Sequence, residues 1–168
     1  MAEEIVNRVA QSKLITFDLE ELYPEGERRV LDIKEWLYEG LILREKEFRF
    51  KVDEHDWSQY ADSYVALTCS SDAIVPGWAF MLLASKLQPF AKKVVRGDSE
   101  TLETLLYQEI IQSLDVSSFE DKPVIIKGCA NKPVPENAYL MAIAKIQPVA
   151  KSVMYGEACS SVPLHKRK

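Results

Sequence analysis

The stretch VPGWAFMLLASKLQPFAKKVVRGD (residues 75–98) recurs as VPENAYLMAIAKIQPVAKSVMYGE (residues 134–157), aligned without a gap over 24 positions, 10 of them identical. An internal repeat of this length implies one supersecondary unit used twice. Each copy has proline at the second position, an apolar run at helical spacing, a second proline, and a β-branched stretch closed by glycine. Proline is tolerated in the first turn of a helix and stops one further along, so each copy reads as a helix between Pro76 and Pro89, or Pro135 and Pro148, leading into a strand.

Apolar, β-branched segments precede both copies. Tyr64–Thr68 (YVALT) and Val124–Lys127 (VIIK) predict strands, as do Lys93–Arg96 (KVVR) and Ser152–Tyr155 (SVMY) after the two helices. A linking helix is expected over Glu100–Ser113, capped by Ser99 and apolar along one face. The result is two tandem β-α-β repeats, residues 63–98 and 123–159, in a single domain of 168 residues. Right-handed crossovers then predict an α/β fold with a mostly parallel four-stranded sheet in the order 2-1-3-4, helices lying against its faces. Residues 1–60 read as an N-terminal cover. Within it a short helix is expected over Glu3–Ala10, a strand over Lys13–Asp18, a helix starting near Asp32 with Glu35 as capping partner, and a second helical run from Ile42 to about Glu54.

Composition narrows the class. With 47% hydrophobic and 28% charged residues the chain reads as ordinary globular protein. A net charge of −5 argues against a broad nucleic-acid surface. No apolar run approaches the ~18 residues of a membrane span. The start MAEEIVNRVAQS lacks the pattern of an export signal, and three cysteines suit a reducing compartment, so a cytoplasmic protein is expected.

The cysteines border the repeat. Cys69 lies six residues before Val75, Cys129 five before Val134, and Cys159 two beyond the second copy. In a 2-1-3-4 sheet the strand order reverses between the first and third strands, opening a crevice at their C-terminal ends. Cys69 and Cys129 would stand at those ends with Cys159 beside them. Three thiolates suit zinc or an iron–sulfur cluster, which makes metal binding through Cys69, Cys129 and Cys159 the leading expectation. Glu157, Asp98, Asp72 and His165 are candidates for a fourth ligand. The rival expectation is a cysteine-dependent enzyme, nucleophilic or redox, using the same crevice with His55 or His165 as base. A third is an interaction module whose cysteines are core. Whether the protein is an enzyme stays open. No nucleophile elbow, phosphate loop or dinucleotide fingerprint is present.

EHDWSQY (residues 54–60), TCSSDAIVPGWAFMLLASKLQP (68–89), IKGC (126–129) and GEACSSVPLHKRK (156–168) resemble a bacterial family of short cytoplasmic proteins known as a domain of unknown function. The resemblance covers essentially the whole chain and carries no established activity, so no functional residue transfers from it. What it implies is proximity to iron–sulfur assembly. That would favour a cluster-related role for the three cysteines. From the residues themselves, an accessory role and protein partners in metal or sulfur handling are expected, with a homodimer as one arrangement, and no nucleic acid or membrane partner.

Overall fold

The computed structural model describes residues 13–128 and 131–168; the helix expected over Glu3–Ala10 and the thiol of Cys129 lie outside them. The fold is α/β with mostly parallel strand pairing. In chain order its elements are β1 (Ile15–Phe17), β2 (Arg28–Asp32), α1 (Glu45–Glu54), β3 (Tyr64–Thr68), α2 (Gly77–Leu87), β4 (Lys93–Arg96), α3 (Ser99–Gln112), β5 (Pro123–Ile126), α4 (Glu136–Ile146), β6 (Ser152–Glu157) and β7 (Ser160–Lys166). Pro76 and Pro135 occupy the N-cap positions of α2 and α4. Ala79, Leu83 and Leu87 on α2, and Ala138, Ala142 and Ile146 on α4, repeat every fourth residue and are fully buried.

The four strands of the two β-α-β repeats do not share a sheet. Strands β2-β3-β4 form one sheet, parallel throughout, and β1-β5-β6-β7 form another in which only the β6–β7 pairing is antiparallel. The place beside β3 expected for β5 is taken by β2. This corrects the 2-1-3-4 order. The reason is that the segment taken for a cover supplies two strands, β1 and β2, each satisfying one edge of a repeat's first strand.

Two compact units result: Pro24–Leu105, and the chain up to Tyr23 together with Leu106–Lys168, the division falling inside α3. Each carries three parallel strands in the order in which the chain makes them. Right-handed crossovers in an unreversed order put both helices on one face. Accordingly α1 and α2 pack with Leu31, Val65 and Leu67 in one core, and Tyr107 and Ile111 of α3 pack with α4, Val124, Ile126 and Val153 in the other. An unreversed sheet has no switch point between its strands, so the crevice expected from the reversal is missing.

The repeat is longer than its best-matching stretch. At the separation from Val75 to Val134, 59 residues, Phe48 corresponds to Tyr107 and Val52 to Ile111, all buried. Hydrogen bonds repeat at the same spacing. Asp56 accepts from Ser58 N at 3.0 Å and Asp115 from Ser117 N at 2.9 Å. Asp62 N donates to Phe90 O and Asp121 N to Val149 O, both at 3.0 Å. Asp62 and Asp121 adopt left-handed backbone, φ 57° and 54°. A second, shorter repeat precedes these: Phe17-Asp18-Leu19 and Leu31-Asp32-Ile33, at the ends of β1 and β2, each lead into a 3-10 turn. The copy at Pro24–Leu105 therefore sits, in sequence, inside the other. Among the described residues, the turn after β2 that carries Leu41 and Ile42 has no counterpart turn, and strand β7 has no counterpart strand.

Candidate functional site

Among the described residues the expected thiol cluster is not assembled. Cys69 follows β3 in the Pro24–Leu105 unit, half-buried, with Sγ 3.3 Å from Ser71 Oγ. Cys159 is exposed in the turn between β6 and β7, in the other unit and the other sheet. At the 59-residue spacing the partner of Cys69 is Gly128, not Cys129. A Cβ at Gly128 would stand 2.8 Å from the Tyr155 ring, so a side chain there requires that ring to shift. Among the described residues no group of three or more His, Cys, Asp or Glu is placed to hold a metal ion. The metal-binding reading, and with it the cysteine cluster, is overturned.

The fourth-ligand candidates have other occupations. Asp98 caps α3, accepting from Thr101 N at 2.8 Å and Thr101 Oγ1 at 2.7 Å. These bonds hold its carboxyl below the usual range. The cap expected at Ser99 is thus Asp98. Glu157 is exposed and pairs with Ser160 across the hairpin, and His165 lies on β7 opposite Val153. Asp72 is exposed in the loop from β3 to α2.

The strand ends are instead tied shut. Asp32 Oδ1 accepts from Lys34 N at 3.0 Å and from Ser70 N at 3.1 Å, lashing the end of β2 to the loop after β3. Burial pushes its carboxyl up, but the bonds from Ser70 and Lys34 outweigh that and hold it below the ordinary value. Asp18, its counterpart, accepts from Glu20 N and from Lys127 Nζ, both at 2.9 Å. Its bond to Lys127 and the charge of Asp18 raise the Lys127 pKa, so the amine stays protonated and is no nucleophile. The helix expected at Asp32 shrinks to the 3-10 turn Lys34–Trp36 because Asp32 spends its side chain on this lash.

His55 closes α1 and is not a base in waiting. Its Nε2 is 2.9 Å from the Tyr60 hydroxyl, and its ring packs edge-on against Trp36 and Trp57 at 5.0 and 4.8 Å. Burial lowers its pKa below the ordinary value against the opposing pull of Asp56. Neither histidine hydrogen-bonds a cysteine among the described residues.

What does stand open is apolar. The turn after β2 is closed by hydrogen bonds between Tyr38 and Ile42 and braced by Arg44, whose guanidinium lies over the Tyr38 ring. It presents Leu41 and Ile42, 54% and 53% exposed, to the loop after β3, where Ile74 is 93% exposed. These three side chains line one concavity of about 450 Å³ with Leu43, Ala73, Pro76 and Asp72. Asp72 has no ion-pair partner among the described residues. Neither the exposed aliphatics nor the groove figured in the reading of the sequence. Ile74 between turn-formers was the available signal.

Comparison with known proteins places the chain in a family. Residues 3–167 match the model of the family described as "Protein of unknown function (DUF2480)", and the chain belongs to it. No curated protein and no solved structure matches. Among the described residues no helix is long and apolar enough to cross a membrane.

Proposed function

We propose that this protein is an interaction module that docks an extended, aliphatic segment in the groove between the Tyr38–Ile42 turn and the β3–α2 loop. The observation that carries this reading is the exposure of Leu41, Ile42 and Ile74 around one concavity. Single exposed aliphatics are ordinary, whereas several gathered around a hollow mark a surface that another chain covers. The surroundings supply rigidity. Asp32 lashes the β3 loop to β2, and Arg44 bridges Tyr38 and Glu47, the latter at 3.2 Å. A groove held before binding costs less to fill. Asp72 on its wall favours a basic residue beside the aliphatic ones.

Selection from a random peptide library tests the proposal. Aliphatic peptides with an adjacent lysine or arginine are expected to be enriched, and Ile74→Asp is expected to weaken their binding at least about tenfold. Enriched peptides whose binding ignores both Ile74→Asp and Ile42→Asp would refute it.

A further inference from the structure

We infer that the occupant of the groove is strand β7 of a second copy of this chain; the inference rests on the docking reading above. The duplication is the first ground. Everything from α1 to the end of β4 has a counterpart between α3 and Tyr155, so the features they share are scaffold. The Leu41–Ile42 turn and β7 stand outside it, and both carry large aliphatic side chains in solvent. On β7 these are Val162, 58% exposed, and Leu164, 49% exposed. The register shifts between Val153, opposite His165, and Met154, opposite Pro163, so Leu164 has no residue facing it. Bulges of this kind re-aim a side chain away from the ladder.

Charge is the second ground. Asp72 on the groove wall has no ion-pair partner among the described residues, and neither have Lys166 and Lys168, which follow the aliphatic pair of β7. Arg167 is the exception. It pairs with Asp121 and donates to Pro148 O at 3.2 Å and Val149 O at 3.0 Å, while its own N–H donates to Lys151 O. That anchor holds the strand extended, so little ordering remains to be lost on docking. One polypeptide thus carries an aliphatic groove with an unpaired acid and an aliphatic strand with unpaired bases. Both are exposed in the folded chain and available to another copy. Two copies exchanging strands about a twofold axis make the contact twice and close the assembly.

Sedimentation velocity of the full chain over a wide concentration range tests the inference. A dimer is expected that weakens with salt. Ile74→Asp, and separately Val162→Asp with Leu164→Asp, are each expected to raise its dissociation constant at least about tenfold. All three residues are about half exposed or more, and circular dichroism checks that the variants fold. Mixing the two variants restores one intact contact and is expected to give a heterodimer. Asp72→Lys is expected to weaken the dimer, and adding Lys166→Glu and Lys168→Glu to recover it. A chain that stays monomeric throughout, or a dimer indifferent to both variants, overturns the inference. If the chain is monomeric yet binds aliphatic–basic peptides through Ile74, the second-copy occupant fails and the docking reading stands. If it does neither, both fall.

Discussion

Replacing Tyr107 by Phe removes a hydrogen bond between the 3-10 turn that follows β1 and a helix far along the chain. The Tyr107 hydroxyl donates to Leu19 O at 2.8 Å, with Tyr107 and Leu19 0% and 1% exposed. The duplication supplies the control, because the corresponding residue of the other unit, Phe48, is a buried phenylalanine. A phenyl ring suits this place on the helix, so the substitution opens no sizeable cavity and its cost is that of losing the hydroxyl's interactions. Losing a buried hydrogen bond and stranding its acceptor costs about 1–3 kcal/mol. With an m-value of roughly 1–2 kcal/mol/M, the urea midpoint should fall by about 1 M. Far-UV circular dichroism reads the loss. Trp36, Trp57 and Trp78 all lie in Pro24–Leu105, so their fluorescence shows separately whether that unit unfolds with the other. A midpoint shift under about 0.2 M by circular dichroism would refute the claim that the Tyr107 hydroxyl ties the turn after β1 to α3.

Two other substitutions address the aromatic cluster and the C-terminal hairpin. Because the folded His55 has its pKa lowered below the free value of 6.5, the unfolded chain takes up the proton first. Stability should therefore be full above pH ~6.5 and decline as pH falls through the folded value; His55→Gln should flatten that part of the curve, and equal pH slopes by thermal melting would contradict it. Gly156 has φ 120°, and a Cβ there would meet Ser160 O at 2.6 Å, so Gly156→Ala should cost about 1–3 kcal/mol and loosen β7 first; unchanged hydrogen exchange on Val162 and Leu164 would count against it.

Much of the chain was legible because its signals are local. Proline at 76, 89, 135 and 148 brackets two helices, and the predicted strands at Tyr64–Thr68 and Lys93–Arg96 match β3 and β4 in both bounds. The Phe17-Asp18-Leu19 and Leu31-Asp32-Ile33 pair was also readable and points to β1 and β2 as equivalents. Asp32 resembled a helix cap because an aspartate that accepts a backbone N–H looks the same in sequence whether a helix or a single turn follows. Strand β7 was hidden by Pro163 and a basic ending, both of which suit an edge strand as well as a tail.

Local pattern therefore established the duplication, the two helices of the repeat, the helix between its copies and most strands, since capping and hydrophobic periodicity are encoded within a few residues. Sheet partnership was settled in space. β1 pairs with β5 more than a hundred residues away and β2 takes the edge of β3, and no local signal distinguishes these from a shared sheet. The placement of the described cysteines followed from that choice: Cys69 follows a strand of one sheet and Cys159 a strand of the other. The groove depends on folding in the same way. Leu41, Ile42 and Ile74 are ordinary aliphatics along the chain, and become a surface because strand pairing sets their two loops side by side while leaving the side chains in water.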